Sequence, residues 1–301
     1  MAITAPLLWL DGALVDSSTA GAPLMGHAAQ RGSLVFDVGS FRTTPRGPAL
    51  FRVRDHVARF LRSTSIVGLE LAYDAEALVE AAVRVVAESG SNDGLVRWSA
   101  FLTAREPDLV PREQRAHVAV AAQMLQDPPR NTPIRIAVFD DARKAAPAVL
   151  PPDTKAAGAY LGPMIARRRA IAAGADDVVL LDEDGDIAEA PIANVFAVVS
   201  GTLWTPPLGR ILPGITRDSV LAIARSEAIP IREERLPLAT FESADEAFLT
   251  ATSLPIAPIG SVNGRTLGGA PGPITSRLIE RLARARTGNE PSRESWLTYV
   301  R

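Results

Sequence analysis

The stretch PPDTKAAGAYLGPMIARRRA, residues 151–170, holds one of the chain's two lysines, Lys155, behind two prolines and ahead of a run of small residues. The other lysine is Lys144; together with thirty arginines they make up the 32 basic residues. As surface charges the two residue types often stand in for one another. As nucleophiles they do not: a guanidinium stays protonated, whereas an amine can lose its proton and form a Schiff base with an aldehyde. A lysine kept where arginine is otherwise general marks Lys155 for covalent chemistry, set against the ordinary case of a solvated lysine.

Composition bounds what that chemistry can be. A chain of 301 residues suits about two domains, or one large α/β domain, and 47% hydrophobic with 22% charged residues is enough for a real core. A formal net charge of −2 leaves no electrostatic footprint for nucleic acid or an anionic membrane surface. Without cysteine there is no disulfide, thiolate metal site or cysteine nucleophile. His27, His56 and His117 lie far apart and lack metal-ligand spacing, so no metal is expected. The opening MAITAPLLWLDGALVD reads as a strand, not a signal peptide. No apolar run approaches the ~18–20 residues of a membrane span. A cytoplasmic protein with small-molecule partners is the expectation.

Working outward from the lysine, QDPPRNTP (126–133) is the strongest break in the chain, so an N-terminal domain is expected over 1–126, a linker over 127–133 and a C-terminal domain over 134–301. In the first part, LLWLDGALVD (7–16) signals a hairpin turning at Asp11-Gly12, and 32–44, 47–53, 93–104 and 115–125 read as strands. Residues 54–69 place Val57, Phe60, Leu61 and Ile66 at helical spacing; 74–90 read as a second helix with Gly90 as its C-cap. In the second part, a strand at 134–139 and a helix around 160–173 precede a meander of short strands over 176–206. Helices over 214–228 and 272–288 flank a strand-rich 244–264. The fold class is therefore mixed α/β, of the α+β kind.

Three further features bear on the lysine. Strand alternation puts Glu189 on the same face as apolar Ile187, where a carboxylate needs a cationic partner, such as a protonated pyridine nitrogen, unless the strand is a solvated edge. LPGITRD (212–218) opens a helix at Ile215 and Thr216, a ready anion site from free N–H groups, the helix dipole and a hydroxyl. Thr252 in TATSL can donate in the same way, and Arg59 offers the fork a phosphate prefers. Each alternative is plain: an ordinary N-cap, a turn threonine, a solvated helix arginine. Together an amine, a carboxylate and an anion cup describe a site for pyridoxal phosphate.

In order and spacing the chain resembles the fold-type IV pyridoxal-phosphate enzymes, and among them the branched-chain amino-acid aminotransferases. The resemblance runs through GHAAQRGSLVFD, FRVRDHVARFLRS, LVRWSAFL, TKAAGAYL, LLDEDGDIAEAPIANVFAV, LWTPPLGRILPGITRDSVLAIA and ADEAFLTATSLPIAPIGSVNG, nearly the whole chain. It implies a smaller N-terminal α+β domain, a larger mixed C-terminal domain, pyridoxal 5'-phosphate between them, and a homodimer with shared active sites. Lys155 becomes the Schiff-base lysine and proton shuttle, and Tyr160 the partner of the cofactor's phenolic oxygen. Glu189 pairs with the pyridine nitrogen. Arg59, Ile215, Thr216 and Thr252 hold the phosphate. Arg31, Phe36, Val38, Leu95, Arg97 and Ser253 line the substrate.

The pocket departs from the family pattern. Typical branched-chain enzymes carry a tyrosine, a Phe-Glu-Gly run and an arginine in the 31–40 segment, and a second tyrosine at position 95. Here these places hold Arg31, FDV (36–38), Ser40 and Leu95. A basic residue five positions before Phe36 is similar to relatives that take D-amino acids or (R)-amines. The expected activity is ping-pong transamination between an amino acid or amine and a 2-oxo acid, branched-chain-like. A D-amino-acid or (R)-amine transaminase is the runner-up, followed by an aminodeoxychorismate-type lyase and a non-catalytic relative of the fold.

Overall fold

A computed structural model describes residues 2–125 and 132–300, so most of the expected 127–133 linker lies outside the described residues. The first stretch contains β1 (Ala2–Leu10), β2 (Ala13–Asp16), α1 (His27–Arg31), β3 (Leu34–Thr44), β4 (Gly47–Phe51), α2 (Val53–Val67), α3 (Ala75–Glu88), β5 (Gly94–Phe101) and β6 (His117–Leu125). The second begins with β7 (Ile134–Arg143), α4 (Leu161–Ala172), β8 (Asp177–Leu181), β9 (Glu189–Ala190), β10 (Ala193–Val199) and β11 (Thr202–Thr205). It continues through α5 (Ile215–Ser226), β12 (Ile231–Glu233), α6 (Leu238–Glu242), β13 (Glu246–Thr250), β14 (Ala257–Val262), β15 (Arg265–Thr266), α7 (Pro273–Arg286) and β16 (Leu297–Tyr299).

These elements divide into two compact units. One is Met1–Pro128 with Thr154–Gly158 and Arg284–Arg301; the other is Pro129–Asp153 with Ala159–Ala283. The sequence places everything after the linker in one domain and so misses two returns to the first unit. Both are short, and their partners lie far off in the chain. β16 pairs antiparallel with β4, Leu297 opposite Phe51, and Ala156 forms a bridge with Val35 of β3.

The first unit is built on an antiparallel sheet in the order β16-β4-β3-β5-β6-β1-β2. The β1–β2 hairpin turns where expected, with φ of 47° at Asp11 and 100° at Gly12, the left-handed pair a two-residue turn matched to strand twist requires. Helices α2 and α3 cover one face. Val57 and Phe60 of α2 and Leu78, Ala82 and Val85 of α3 pack with Val35 and Phe41 of β3, Trp98 of β5 and Val118 of β6. Ile66, placed at helical spacing with the core residues, is exposed instead. Asp74 caps α3 by accepting from the Ala77 N–H at 2.9 Å. The C-cap falls on Ser89, one residue before Gly90, whose φ of 64° turns the chain away.

The second unit holds a mixed sheet in the order β12-β11-β10-β13-β14-β7-β8, with β9 on β10 and β15 on β14. The expected 176–206 meander is only partly present. β9, β10 and β11 pair antiparallel, but β8 pairs parallel with β7. The reason is the helix between them: β7, α4 and β8 form a crossover connection, which yields parallel neighbours. β12, α6, β15 and β16 were not expected, because elements of two to five residues carry no readable periodicity. Glu246, 5% exposed, caps α7 by accepting from Ile274 N–H at 3.0 Å and Thr275 N–H at 2.7 Å. No helix among the described residues is long and apolar enough to cross a membrane.

A polar cluster ties α2 to β3 inside the first core. Asp37 is fully buried; its Oδ2 accepts from Arg59 Nε at 2.7 Å and its Oδ1 from Nη2 at 2.8 Å, and His56 Nδ1 lies 2.8 Å from the same Oδ1. Burial alone would raise the Asp37 carboxyl; the Arg59 charge and the bonds from His56 and Arg59 outweigh it and hold it well below the usual carboxylate range. Burial pushes the His56 imidazole below its usual value, against the pull of Asp37. Both groups therefore bind protons more readily in the unfolded chain. Their contribution is complete above the unfolded values and declines on acidification, below about pH 6.5 for His56 and further below about pH 4 for Asp37. Asp37→Asn leaves Arg59 buried without its counter-charge and is expected to cost about 3–5 kcal/mol at neutral pH. Urea unfolding of both proteins across this pH range checks it. Equal stability at pH 7, or no fall in wild-type stability on acidification, contradicts the assignment.

Candidate active site

The first unit positions the lysine. β4 pairs with β3 only from Ser40 to Thr44. Along the first half of β3 its place is taken by the lysine segment: Phe36 N–H donates to the Lys155 carbonyl at 3.0 Å, and Lys155 N–H donates to Ser63 Oγ at 3.1 Å. Ser63 lies four residues after Arg59 on α2, so both project from one face of that helix. The half-buried Lys155 is thus not an ordinary solvated lysine. Its Nζ stands 4.9 Å from the Phe36 ring centroid.

Strand alternation puts Phe36, Val38 and Ser40 on the face of the sheet away from α2 and α3. Register pairs Val38 with Arg97 and Ser40 with Leu95, so the expected substrate residues of β3 and β5 share that face. The Arg97 guanidinium carbon lies 4.7 Å from the Phe36 ring. One aromatic ring therefore carries both the lysine amine and an arginine, each a favourable cation–π contact. Arg31 is placed differently. It is exposed at the end of α1, and its guanidinium donates to the carbonyls of Gln30 at 3.1 Å and Pro107 at 3.4 Å. Asp37, between Phe36 and Val38 on β3, is engaged by Arg59 and His56. Arg59 is buried on this acid, not solvated.

The second unit gathers the carboxylate and the helix start. Glu189 is largely buried. Its Oε1 is ion-paired with Lys144, and its Oε2 accepts from Leu212 N–H at 3.0 Å and Asn194 Nδ2 at 3.2 Å. Sequence reasoning missed both Lys144 and Asn194 as its partners. The available signal for Asn194 was strand register, because Asn194 on β10 stands directly opposite Glu189 on β9. The Asn194 amide also donates to the Leu212 carbonyl at 2.9 Å, so one side chain fastens the carboxylate to the LPGITRD loop. Gly214 is the N-cap of α5 and offers no side-chain cap bond. A Cβ there would overlap Asn194 Oδ1, so the close approach admits only glycine. Ile215 and Thr216, both buried, begin the helix. Thr252 and Ser253 lie in the turn after β13, closed by reciprocal Ala251 and Leu254 backbone bonds of 2.8 and 3.2 Å. Tyr160 ends a short 3₁₀ turn and is the N-cap of α4.

Lys155, Phe36, Val38, Arg97, Leu95, Arg59 and Arg31 thus fall in the first unit, and Glu189, Ile215, Thr216, Thr252, Ser253 and Tyr160 in the second. Comparison with known proteins gives these groups a context. The profile of the amino-transferase class IV family matches residues 35–262. The branched-chain-amino-acid aminotransferase of Pseudomonas aeruginosa is 29% identical over 300 residues, covering 98% of this chain and 97% of that protein. The enzyme of the same name from Escherichia coli K12 is 28% identical, with 98% of each covered. Among solved structures, the branched-chain aminotransferase of Thermoproteus uzoniensis with norvaline superposes with a TM-score of 0.94 at 35% identity, covering 99% of this chain and 100% of that one. A T.th. branched-chain amino acid aminotransferase with pyridoxamine 5'-phosphate gives 0.94 at 34% identity, with the same coverage. A family match over most of the length, running through Lys155, Glu189 and the α5 start alike, leaves one conclusion: the chain belongs to the amino-transferase class IV family.

Proposed function

We propose that this pyridoxal-phosphate-dependent aminotransferase moves an amino group between a branched-chain amino acid and a 2-oxo acid, with Lys155 as its catalytic residue. The observation that carries the reading is the placement of the Lys155 amine and the Arg97 guanidinium on one Phe36 ring, a nucleophile beside a carboxylate binder. The residues suit the cofactor. Lys155 supplies a primary amine for its aldehyde. The Glu189 carboxylate has about four lone-pair positions, and three are taken, which leaves one for a pyridine N–H. A glycine-capped helix start at Ile215 and Thr216, with Thr252 and Arg59, provides phosphate donors. Tyr160 is the partner for the phenolic oxygen.

When bound, the cofactor supplies an aldehyde to take up the amino group and a pyridinium that draws electrons from the substrate carbon. The chain's residues do the rest. With the cofactor bound, Lys155 Nζ would take the proton from the donor's α-carbon and deliver it to the cofactor's aldehyde carbon, and would carry a proton the opposite way in the second half-reaction. Lys144 and Asn194 fix Glu189, whose negative charge keeps the pyridine nitrogen protonated. Arg97 receives the substrate carboxylate, while Phe36, Val38, Leu95 and Ser253 bound its side chain and Arg31 contributes from the rim. The enzyme works in the cytoplasm as a homodimer with shared active sites. Leu161, Met164 and Ile165, each about half exposed or more on one side of α4, support burial against a second copy.

A donor screen with L-leucine, D-alanine and an (R)-arylamine, against 2-oxoglutarate and pyruvate, tests the reading. L-leucine with 2-oxoglutarate is expected to be preferred; preference for D-alanine or the arylamine instead selects the runner-up. Lys155→Arg should lower turnover by at least about 10²–10⁴-fold, the range for loss of a positioned base. Arg97→Leu should raise KM for 2-oxoglutarate and cut kcat/KM by roughly 10- to 100-fold, the effect of losing a charge-assisted hydrogen bond of about 1.5–3 kcal/mol, with a carboxylate-free amine donor less affected. Equal losses on every substrate count against that role. Light scattering should give twice the chain mass for the wild type and a shift to monomer for Ile165→Asp; a monomeric wild type removes the dimer.

A further inference from the structure

The sheet face that carries Phe36, Val38 and Arg97 continues along β3 to Ser40, where it meets a second guanidinium. Arg286, the last residue of α7, donates from Nη2 to Ser40 Oγ at 3.1 Å. Its Cζ lies 5.9 Å from the ring of Phe51, the register partner of Ser40 on β4. Arg286 is 8% exposed and Ser40 1%. Among the described residues Arg286 has no carboxylate within ion-pair distance. Asp93, the acid that acts on it from further off, is bonded to Thr43 and stands 3.9 Å from Arg42. Burial, and after it the charge of Arg42, press the guanidinium down to about 9.

Such an arrangement is costly. A buried cation without its counter-ion is strongly destabilising, and one neutral hydroxyl offsets only a small part of that. Arg42, two residues beyond Ser40 on the same face, adds like charge. An anion brought to this end of the face removes the imbalance. Arg97 stands opposite Val38, two residues before Ser40, and that step along a strand is about 6.8 Å. Counted between backbone positions, the interval is comparable with the length of a five-carbon dicarboxylate.

We propose that Arg286 is a specificity-determining residue that receives a second, distal carboxylate of the substrate, so that Arg97 and Arg286 together select dicarboxylic over monocarboxylic 2-oxo acids. The proposal rests on the transaminase reading, with Arg97 as the first carboxylate binder. A position that is serine on β3 is thereby served by an arginine from the C-terminal helix.

The test has two readouts on the holoenzyme. Glutarate, which cannot react, should raise the wild-type thermal midpoint more than valerate does, and Arg286→Met should abolish that difference. In turnover, the ratio of kcat/KM for 2-oxoglutarate to that for 2-oxohexanoate should fall roughly 10- to 100-fold in Arg286→Met and be largely restored in Arg286→Lys. A glutarate effect that persists in Arg286→Met, or equal losses on both acceptors, overturns the proposal. Should Arg286→Met not fold, Ser40→Ala leaves the guanidinium in place without its anchor, and an unchanged ratio there overturns it equally. Because glutarate binding needs no turnover, an inactive enzyme with intact glutarate discrimination would sink the transaminase reading and spare Arg286. An active enzyme indifferent to Arg286 would do the reverse.

Discussion

A lysine that must deliver its amine to one place needs its backbone fixed first, and here that is done by pairing Lys155 and Ala156 along β3. The Phe36 N–H holds the Lys155 carbonyl, Ser63 receives the Lys155 N–H, and Ala156 bridges Val35. Each bond is worth only about 1 kcal/mol net. Their value is geometric, because they convert a loop residue far along the chain into a member of the sheet. The pairing is possible because β4 ends at Phe51, opposite Ser40, and leaves the first half of β3 open on that side. Helix α2 serves both tasks: Ser63 anchors the lysine strand, and one turn earlier Arg59, with His56, anchors β3 itself through Asp37.

The second unit repeats the economy with one asparagine. Asn194 donates to Glu189 and to the Leu212 carbonyl while its oxygen occupies the place a Cβ on Gly214 would take. The carboxylate and the start of α5 are therefore set by a common side chain. Lys144 adds charge to the same carboxylate. Both lysines of the chain thus have specific work, one as an amine on Phe36 and the other as a counter-ion. This gives a physical reason for their survival in a sequence that otherwise uses arginine.

Much of this was legible before the structure, for reasons that differ by feature. The β1–β2 hairpin followed from Asp11-Gly12, and α2, α3, α5 and α7 from periodicity over a dozen or more residues. Lys155, Glu189 and the Ile215-Thr216 start were singled out by residue chemistry, and the resemblance ordered them into one family. What stayed hidden depends on long-range pairing. The parallel β7–β8 arrangement, the return of 154–158 and 284–301 to the first unit, and the Lys144–Glu189 pair involve partners that no local pattern connects. Arg286 is the sharpest case. Its spacing on α7 marks it only as a basic residue in a last helical turn, and its meeting with Ser40 needs the C-terminal segment folded onto the first sheet.

We propose that Lys155, and not Lys144, binds the cofactor covalently. Reduction of the holoenzyme with borohydride, followed by proteolysis and mass mapping, tests it most directly, since the chain has just these two lysines. A pyridoxyl group on the peptide containing Lys155 and an unmodified Lys144 are expected. A pyridoxyl group on Lys144, or on neither lysine of an enzyme that carries the cofactor, contradicts it.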